Sequence, residues 1–443
     1  LDRYPVGTGP YFLEKMDENF EIVLARNGLF HDQRYPSEGE PGDAEAGLLA
    51  DAGARLPLID RIVYKLEKEA PPRWQKFLQG YYDASGISSD QFHQVVQFSP
   101  AGQRLSPEME RKGISLTVEI APSTYYFAFN MLDPVVGGLA PERGKLRQAL
   151  SLALDVEEFI QIFRNGRGAV PHGPIPPGIA GAWDGGPDGH NPFLYDWDAA
   201  RGMAVRKDLD AARRLLAEAG YPGGQDPSGR QLVGYFDSAW TGAGSQDILR
   251  WMSRQFEGVG VHMESRATDY NRFQDKARHG NFQMLGWGWN ADYPDPENFL
   301  FLLYGPNSKM KTSGENVANY ANGDYDALFD RMESMDDGPE RAAIIRRMVA
   351  ILQEDAPWIV REHPVDYTLF HRWVRNRKPH AMYKGGLKYL RLDPADREAA
   401  RAAWNDMDLW PLWIVAGTLV LLTAPAWISV RRRLDATARP APA

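Results

Sequence analysis

The chain has 443 residues, 43% hydrophobic and 25% charged, with a formal net charge of -9 and no cysteine. That balance supports a folded core of two or three domains and excludes a disordered, collagen-like or multi-span membrane chain. The acidic charge argues against a nucleic-acid surface. The lack of cysteine excludes a disulfide scaffold, a thiolate zinc site, an iron–sulfur cluster and a thiol nucleophile.

Leu1 to Pro5 has neither the basic nor the apolar region of a signal peptide, so a processed product or a fragment is expected. Residues 7–24 read as a Gly/Pro turn entering alternating strands, and 59–64 as a further strand. Between them, residues 31–57 are rich in Gly, Pro, Asp and Glu and read as a solvated surface insertion. A short helix is expected over 73–79, and strands over 115–120 and 124–130 around Pro122. Leu146, Ala149, Leu150, Ala153 and Leu154 share one face of a helix over 143–154. Asp155 and Glu158 then have the N-cap and N3 spacing of the next helix. The Gly/Pro-rich stretch 166–192 is the expected domain boundary.

Beyond it the pattern alternates: helix 210–219, strand 231–236, helix 244–256, strand 260–266, helix 269–278, strand 281–287. Strands alternating with helices imply a mostly parallel sheet covered on both faces. A helix over 339–353 and strands over 357–361 and 366–371 follow. Residues 409–430 form an uncharged run, LWPLWIVAGTLVLLTAPAWISV, followed by Arg431, Arg432 and Arg433. As a helix it spans roughly 33 Å, enough for a bilayer core. Trp404, Trp410, Trp413 and Trp427 flank it as an aromatic belt would, and the arginines predict a cytoplasmic C-terminus over 431–443.

No P-loop, GxSxG or HExxH motif occurs, and the nine histidines lack ligand spacing, so no metal site or cofactor is expected. One segment is chemically dense: residues 286–299, GWGWNADYPDPENF, directly after a strand of the α/β module. That is the sheet edge where open α/β proteins bind ligands. Trp287, Trp289 and Tyr293 offer aromatic walls, Asn290 a hydrogen-bonding amide, and Asp292 a carboxylate suited to a cationic amine. Two other readings of these residues stay open: a hydrolase pairing Asp292 with Asp295 or Glu297 as acid and base, or an acidic turn over core tryptophans.

The motifs resemble those of family 5 extracellular solute-binding proteins, the peptide- and nickel-type receptors of ABC importers. Residues 6–11 (VGTGPY) look like the family's GTGPY turn, and Phe77, Leu78, Gly80 and Asp83 resemble its L-x-x-G-x-x-D pattern. Residues 126–130 (YFAFN), the helix with LRQAL at 146–150, and 211–222 are similar to family segments. Residues 289–296 (WNADYPDP) are close to its W-x-x-D-Y-P-D-P.

The resemblance covers about residues 5–395 and implies a periplasmic-binding-protein-like two-lobe α/β fold of the class II type. It implies an incomplete first lobe over 1–165, a second lobe over 166–375, a return over 376–400 and a transmembrane helix over 409–430. It implies a receptor, not an enzyme, that traps a peptide or other small solute and passes it to ABC permease and ATPase subunits. Asp292 would hold the ligand ammonium, with Trp289 nearby. The export signal and the front of the first lobe, which precede the GTGPY turn in the family, are expected to be missing. The 31–57 insertion and the C-terminal span depart from the family pattern. A sensor domain coupled to signalling is a third reading.

Overall fold

In the computed structural model, which describes residues 5–437 except 68, 100–101, 379–381, 383–385 and 407–409, the chain starts as an antiparallel meander. Its strands are β1 (Tyr11–Asp17), β2 (Glu21–Arg26) and β3 (Arg61–Lys65). The insertion between β2 and β3 is built of turns closed by a bridge between Arg34 and Arg55. It is not the freely solvated loop expected. Phe30, Tyr35 and Leu56 bury together against Tyr389, and the Asp43 and Asp51 carboxylates accept from Lys378 Nζ and Asn376 Nδ2, each at 2.7 Å. A few large side chains spaced by Gly-rich turns hold it, so no periodicity announces the docking.

The main sheet contains β4 (Ala84–Gly86), β5 (Ser115–Ile120), β6 (Ser123–Phe129), β7 (Val233–Ser238), β8 (His262–Ala267), β9 (Met284–Asn290) and β10 (Trp358–Phe370). Its order is β8-β7-β9-β6-β10-β4, with β5 and the short strand Gly168–Ala169 also paired to β10. The pairs β7–β8 and β7–β9 are parallel, as the alternating pattern predicts. The rest of the sheet is antiparallel. The expectation of a mostly parallel sheet therefore holds only for the α/β module. Parallel neighbours need helical crossovers, and only β7, β8 and β9 are joined by them.

The helices used below are α1 (Pro141–Ala153), α2 (Val156–Arg164), α3 (Leu209–Glu218), α4 (Ala243–Glu257), α5 (Tyr270–Arg278), α6 (Gly323–Met332), α7 (Pro339–Asp355) and α8 (Trp410–Thr437). Aspartates cap three of them. Asp155, Asp208 and Asp269 accept from the backbone N–H groups of Glu158, Ala211 and Arg272 at 2.9–3.0 Å, satisfying donors that helix starts leave open. The Glu158 side chain does not complete a capping box; it accepts from Trp251 Nε1 and Gln255 Nε2 and ties α2 to α4.

β6 is buried on both faces. Phe127 and Phe129 pack under α1–α4, while Tyr126 and Ala128 pack under α5–α7. Strand alternation thus feeds two cores at once, each fully buried phenylalanine contributing roughly 1.5–3 kcal/mol. A third core gathers Trp74, Phe77, Phe92, Tyr367 and Leu369.

The two strands expected over 357–371 are one. β10 runs its full 13 residues, pairing first with β6 and then with β5 and β4. Its register slips between Val360 and Glu362, a bulge at Arg361. β10 and the β5–β6 connection therefore run side by side between the first two cores and the third, tied where Ala121 N–H donates to Pro364 O at 3.0 Å.

α8 is long and apolar enough to cross a membrane over Leu412–Leu434, and none of that stretch is buried against the rest of the chain. Trp413 and Trp427 are exposed, whereas Trp404 packs against Trp373 and His371 and does not belong to a belt. The first residue of the apolar run, at 409, and the tail over 438–443 lie outside the described residues.

Candidate functional site

β9 places Trp287 and Trp289 on one face by its two-residue period. Gly288 between them is required by close packing, and Gly286 before them is tightly packed. A Cβ at Gly288 would stand 2.3 Å from the Tyr125 ring, and one at Gly286 would stand 3.3 Å from Phe236. Beside the strand opens a cleft of about 600 Å³ whose walls include Tyr125, Phe159, Trp240, Trp287, Trp289 and Arg361. Trp287 leans on Phe273 with the Lys309 ammonium 5.5 Å from its ring centre; Trp289 meets Phe301 edge-on.

Trp289 is also fixed by its indole, which donates to Asn298 Oδ1 at 3.1 Å. The same oxygen accepts from Asp292 N–H at 2.9 Å. The buried Asn298 thus orients both the tryptophan and the turn that carries Asp292.

The structure brings Trp287 and Trp289 into the cleft but leaves Asn290, Asp292 and Tyr293 at the exposed end of the strand, outside its walls. Asn290 Oδ1 accepts from Ser123 Oγ at 2.8 Å, closing the β6–β9 register where these two residues pair. Tyr293 donates to Glu297; burial first, then that bond, raises its hydroxyl pKa to about 12.

The three carboxylates of the segment differ. Asp295 is committed to Arg341 at 2.6 Å and to Glu297 N–H at 2.8 Å. Glu297 holds Tyr293. The Asp292 carboxylate is exposed and makes no hydrogen bond or ion pair with the described residues.

Sequence reasoning missed the charged end of the cleft. Arg164 Nε and Nη2 each donate to Glu362 at 2.7 Å, and Arg361 Nη2 donates to the same carboxylate at 2.6 Å. Burial pushes Glu362 up, but the two guanidinium groups outweigh it and hold its pKa below the usual value. Burial lowers the pKa of Arg361. An adjacent Arg–Glu pair inside an apolar strand run was the available signal, because such a pair cannot lie in a buried strand without partners.

The described histidines divide between surface and core. His172, His363 and His371 are buried, burial lowering each pKa to about 4. No metal-holding group occurs among the described residues.

Residues 1–311, which include most of the quoted motifs and the whole 286–299 segment, match the family described as bacterial extracellular solute-binding proteins, family 5 Middle. The chain belongs to this family. Its members are substrate-binding proteins rather than enzymes. Heme-binding protein A of Haemophilus influenzae is 25% identical over 83% of this chain and 56% of its own length. A probable di/tripeptide-binding protein of Pseudomonas aeruginosa is 23% identical over 85% of this chain and 59% of its own length. This family 5 chain therefore spans a little over half the length of those curated relatives.

Among solved structures, an ABC transporter-associated periplasmic binding protein from Helicobacter pylori in complex with the peptide STSA superposes with a TM-score of 0.67. It is 18% identical, covering 88% of this chain and 64% of the other. A dipeptide-binding protein from a Pseudoalteromonas species in complex with Met-Leu gives 0.65 at 20% identity, over 88% and 65%. The fold is that of the two-lobe periplasmic binding proteins, as the family resemblance implied.

Proposed function

We propose that this chain is the extracytoplasmic substrate-binding receptor of an ABC transporter, capturing peptides or related amine-bearing solutes and delivering them to a membrane permease. The observation that carries the reading is the free Asp292 carboxylate, on a turn whose backbone Asn298 braces, two residues beyond the strand whose Trp287 and Trp289 wall the cleft. An unpaired carboxylate favours a cation, and its charge-assisted bond is directional. Asp295 and Glu297 are engaged elsewhere, which favours binding over acid–base chemistry.

The lobes divide near Ala121 and Pro364, where β10 and the β5–β6 connection serve as the hinge, rather than at the expected 166 and 375, because residues 123–164 share their cores with α3–α7. Ligand stabilises the closed form only by its differential affinity for it. α8 anchors the receptor, its exposed apolar surface covered by lipid and its arginines on the cytoplasmic side.

Calorimetric titration of the full chain in detergent with a dipeptide and its N-acetyl derivative tests this. Acetylation removes the ammonium and is expected to weaken binding roughly 10- to 100-fold. Equal affinity for both, or turnover of the peptide, would overturn the reading.

A further inference from the structure

The helix Pro394–Trp404 is fastened to the lobe that carries the third core. Trp404 packs against His371 and Trp373, with ring centres 5.3 and 5.6 Å apart. Asn405 Nδ2 donates to Gln79 O at 2.9 Å, and Asn405 N–H to Arg401 O at 3.1 Å. A Cβ at Gly80 would stand 2.8 Å from Arg401 and 3.4 Å from Trp404, so the turn at Gly80 and the helix end interlock. The helix α8 begins at Trp410. Between Asn405 and Trp410 the chain can reach at most about 18 Å. With α8 spanning a bilayer, the Asn405 face of this lobe cannot rise more than about 15 Å above the head groups. A tether this short holds the face there at an effective concentration in the millimolar range, so weak contacts suffice.

We propose that this face is seated on the phospholipid head-group layer, so that the third-core lobe is the fixed arm of the receptor and the α/β lobe is the one that swings. This rests on α8 being the anchor of the reading above. The face carries amphipathic side chains of the kind that settle at head-group depth. Tyr81 is 51% exposed, with the Arg401 guanidinium 4.7 Å from its ring centre. Lys112 Nζ donates to Leu78 O at 3.1 Å and lies 4.2 Å from the Trp404 ring centre. Glu108 and Glu110 precede Lys112, yet it makes no ion pair among the described residues, which leaves its ammonium to lipid phosphate. The carboxylates of the fastened helix are matched already, Asp396 by Arg372 at 2.6 Å and Glu398 by Arg401 at 3.9 Å.

The chain has no cysteine, so a single one can carry a fluorophore. Gln79→Cys marks the seated face, and Arg254→Cys, exposed on α4, marks the α/β lobe. Each labelled full chain is reconstituted into vesicles of phosphatidylethanolamine and phosphatidylglycerol that include head-group nitroxide quenchers, then floated on a density gradient. Quenching is expected at 79 and not at 254. In Gln79→Cys/Lys112→Glu the ratio of seated to free lobe should fall by roughly 5-fold or more, the worth of one basic side chain at an anionic surface.

A floated protein quenched no more at 79 than at 254, or one whose quenching at 79 is unchanged by Lys112→Glu, would overturn the proposal. A chain that fails to float would instead sink the anchor reading, and the seating with it.

Discussion

Glu362→Gln isolates the electrostatics of the cleft. The substitution keeps the shape and removes one negative charge from a carboxylate that receives two bonds from Arg164 and one from Arg361. Arg164 can turn its half-exposed side chain to water; Arg361, buried among four aromatic rings, cannot. The loss is therefore that of stranding one buried guanidinium, about 3–5 kcal/mol. Urea unfolding of the full chain in detergent, followed by tryptophan fluorescence, measures it. Arg361→Leu alone should change stability by less than about 1.5 kcal/mol, since it exchanges a buried charge for a packed apolar group. The double variant Arg361→Leu/Glu362→Gln should recover most of what Glu362→Gln loses. A Glu362→Gln protein within about 1 kcal/mol of the parent, or a double variant no better than the single, would refute the reasoning.

Gly288→Ala should destabilise by about 1–3 kcal/mol and abolish ligand-induced fluorescence change, because its methyl would drive into the Tyr125 ring; a variant with native stability and response would contradict this. Arg147→Met should lose about 3 kcal/mol or more in the same urea assay, since the fully buried guanidinium satisfies the carbonyls of Val136, Gly138 and Asp355. Stability should also fall with acid. His172, His363 and His371 have folded pKa values lowered to about 4 against about 6.5 unfolded. Their contribution is complete above pH about 6.5 and is lost as pH drops toward about 4, on the order of 3 kcal/mol each at most. Melting temperatures flat across that window would contradict the burial argument.

The start of α2 was legible because it is announced chemically: Asp155 caps as its spacing to Glu158 suggests, and Asp208 and Asp269 turn out to cap α3 and α5 in the same way. The Trp287–Trp289 wall was legible because period two puts both indoles on one face. What escaped reading depended on partners distant in sequence. Pro364 looks like a break between two strands, yet β10 continues through it, its carbonyl paired to Ala121 and the short strand at Gly168–Ala169 beside it. Glu362 meets Arg164 across 198 residues of chain, and no local pattern encodes that meeting. Asp292 was singled out for its chemistry, but its position outside the cleft walls, at the end of β9, follows from the turn that Asn298 braces. The insertion's docking rests on Lys378 and Asn376, far away in the chain.

Native mass spectrometry of the full chain, released gently from detergent, tests the central claim most directly. The account predicts a retained small solute that carries a free amine and is lost in Asp292→Asn. A protein that emerges empty and shows no fluorescence change with any member of a peptide library, or one that retains its solute unchanged in Asp292→Asn, would contradict it.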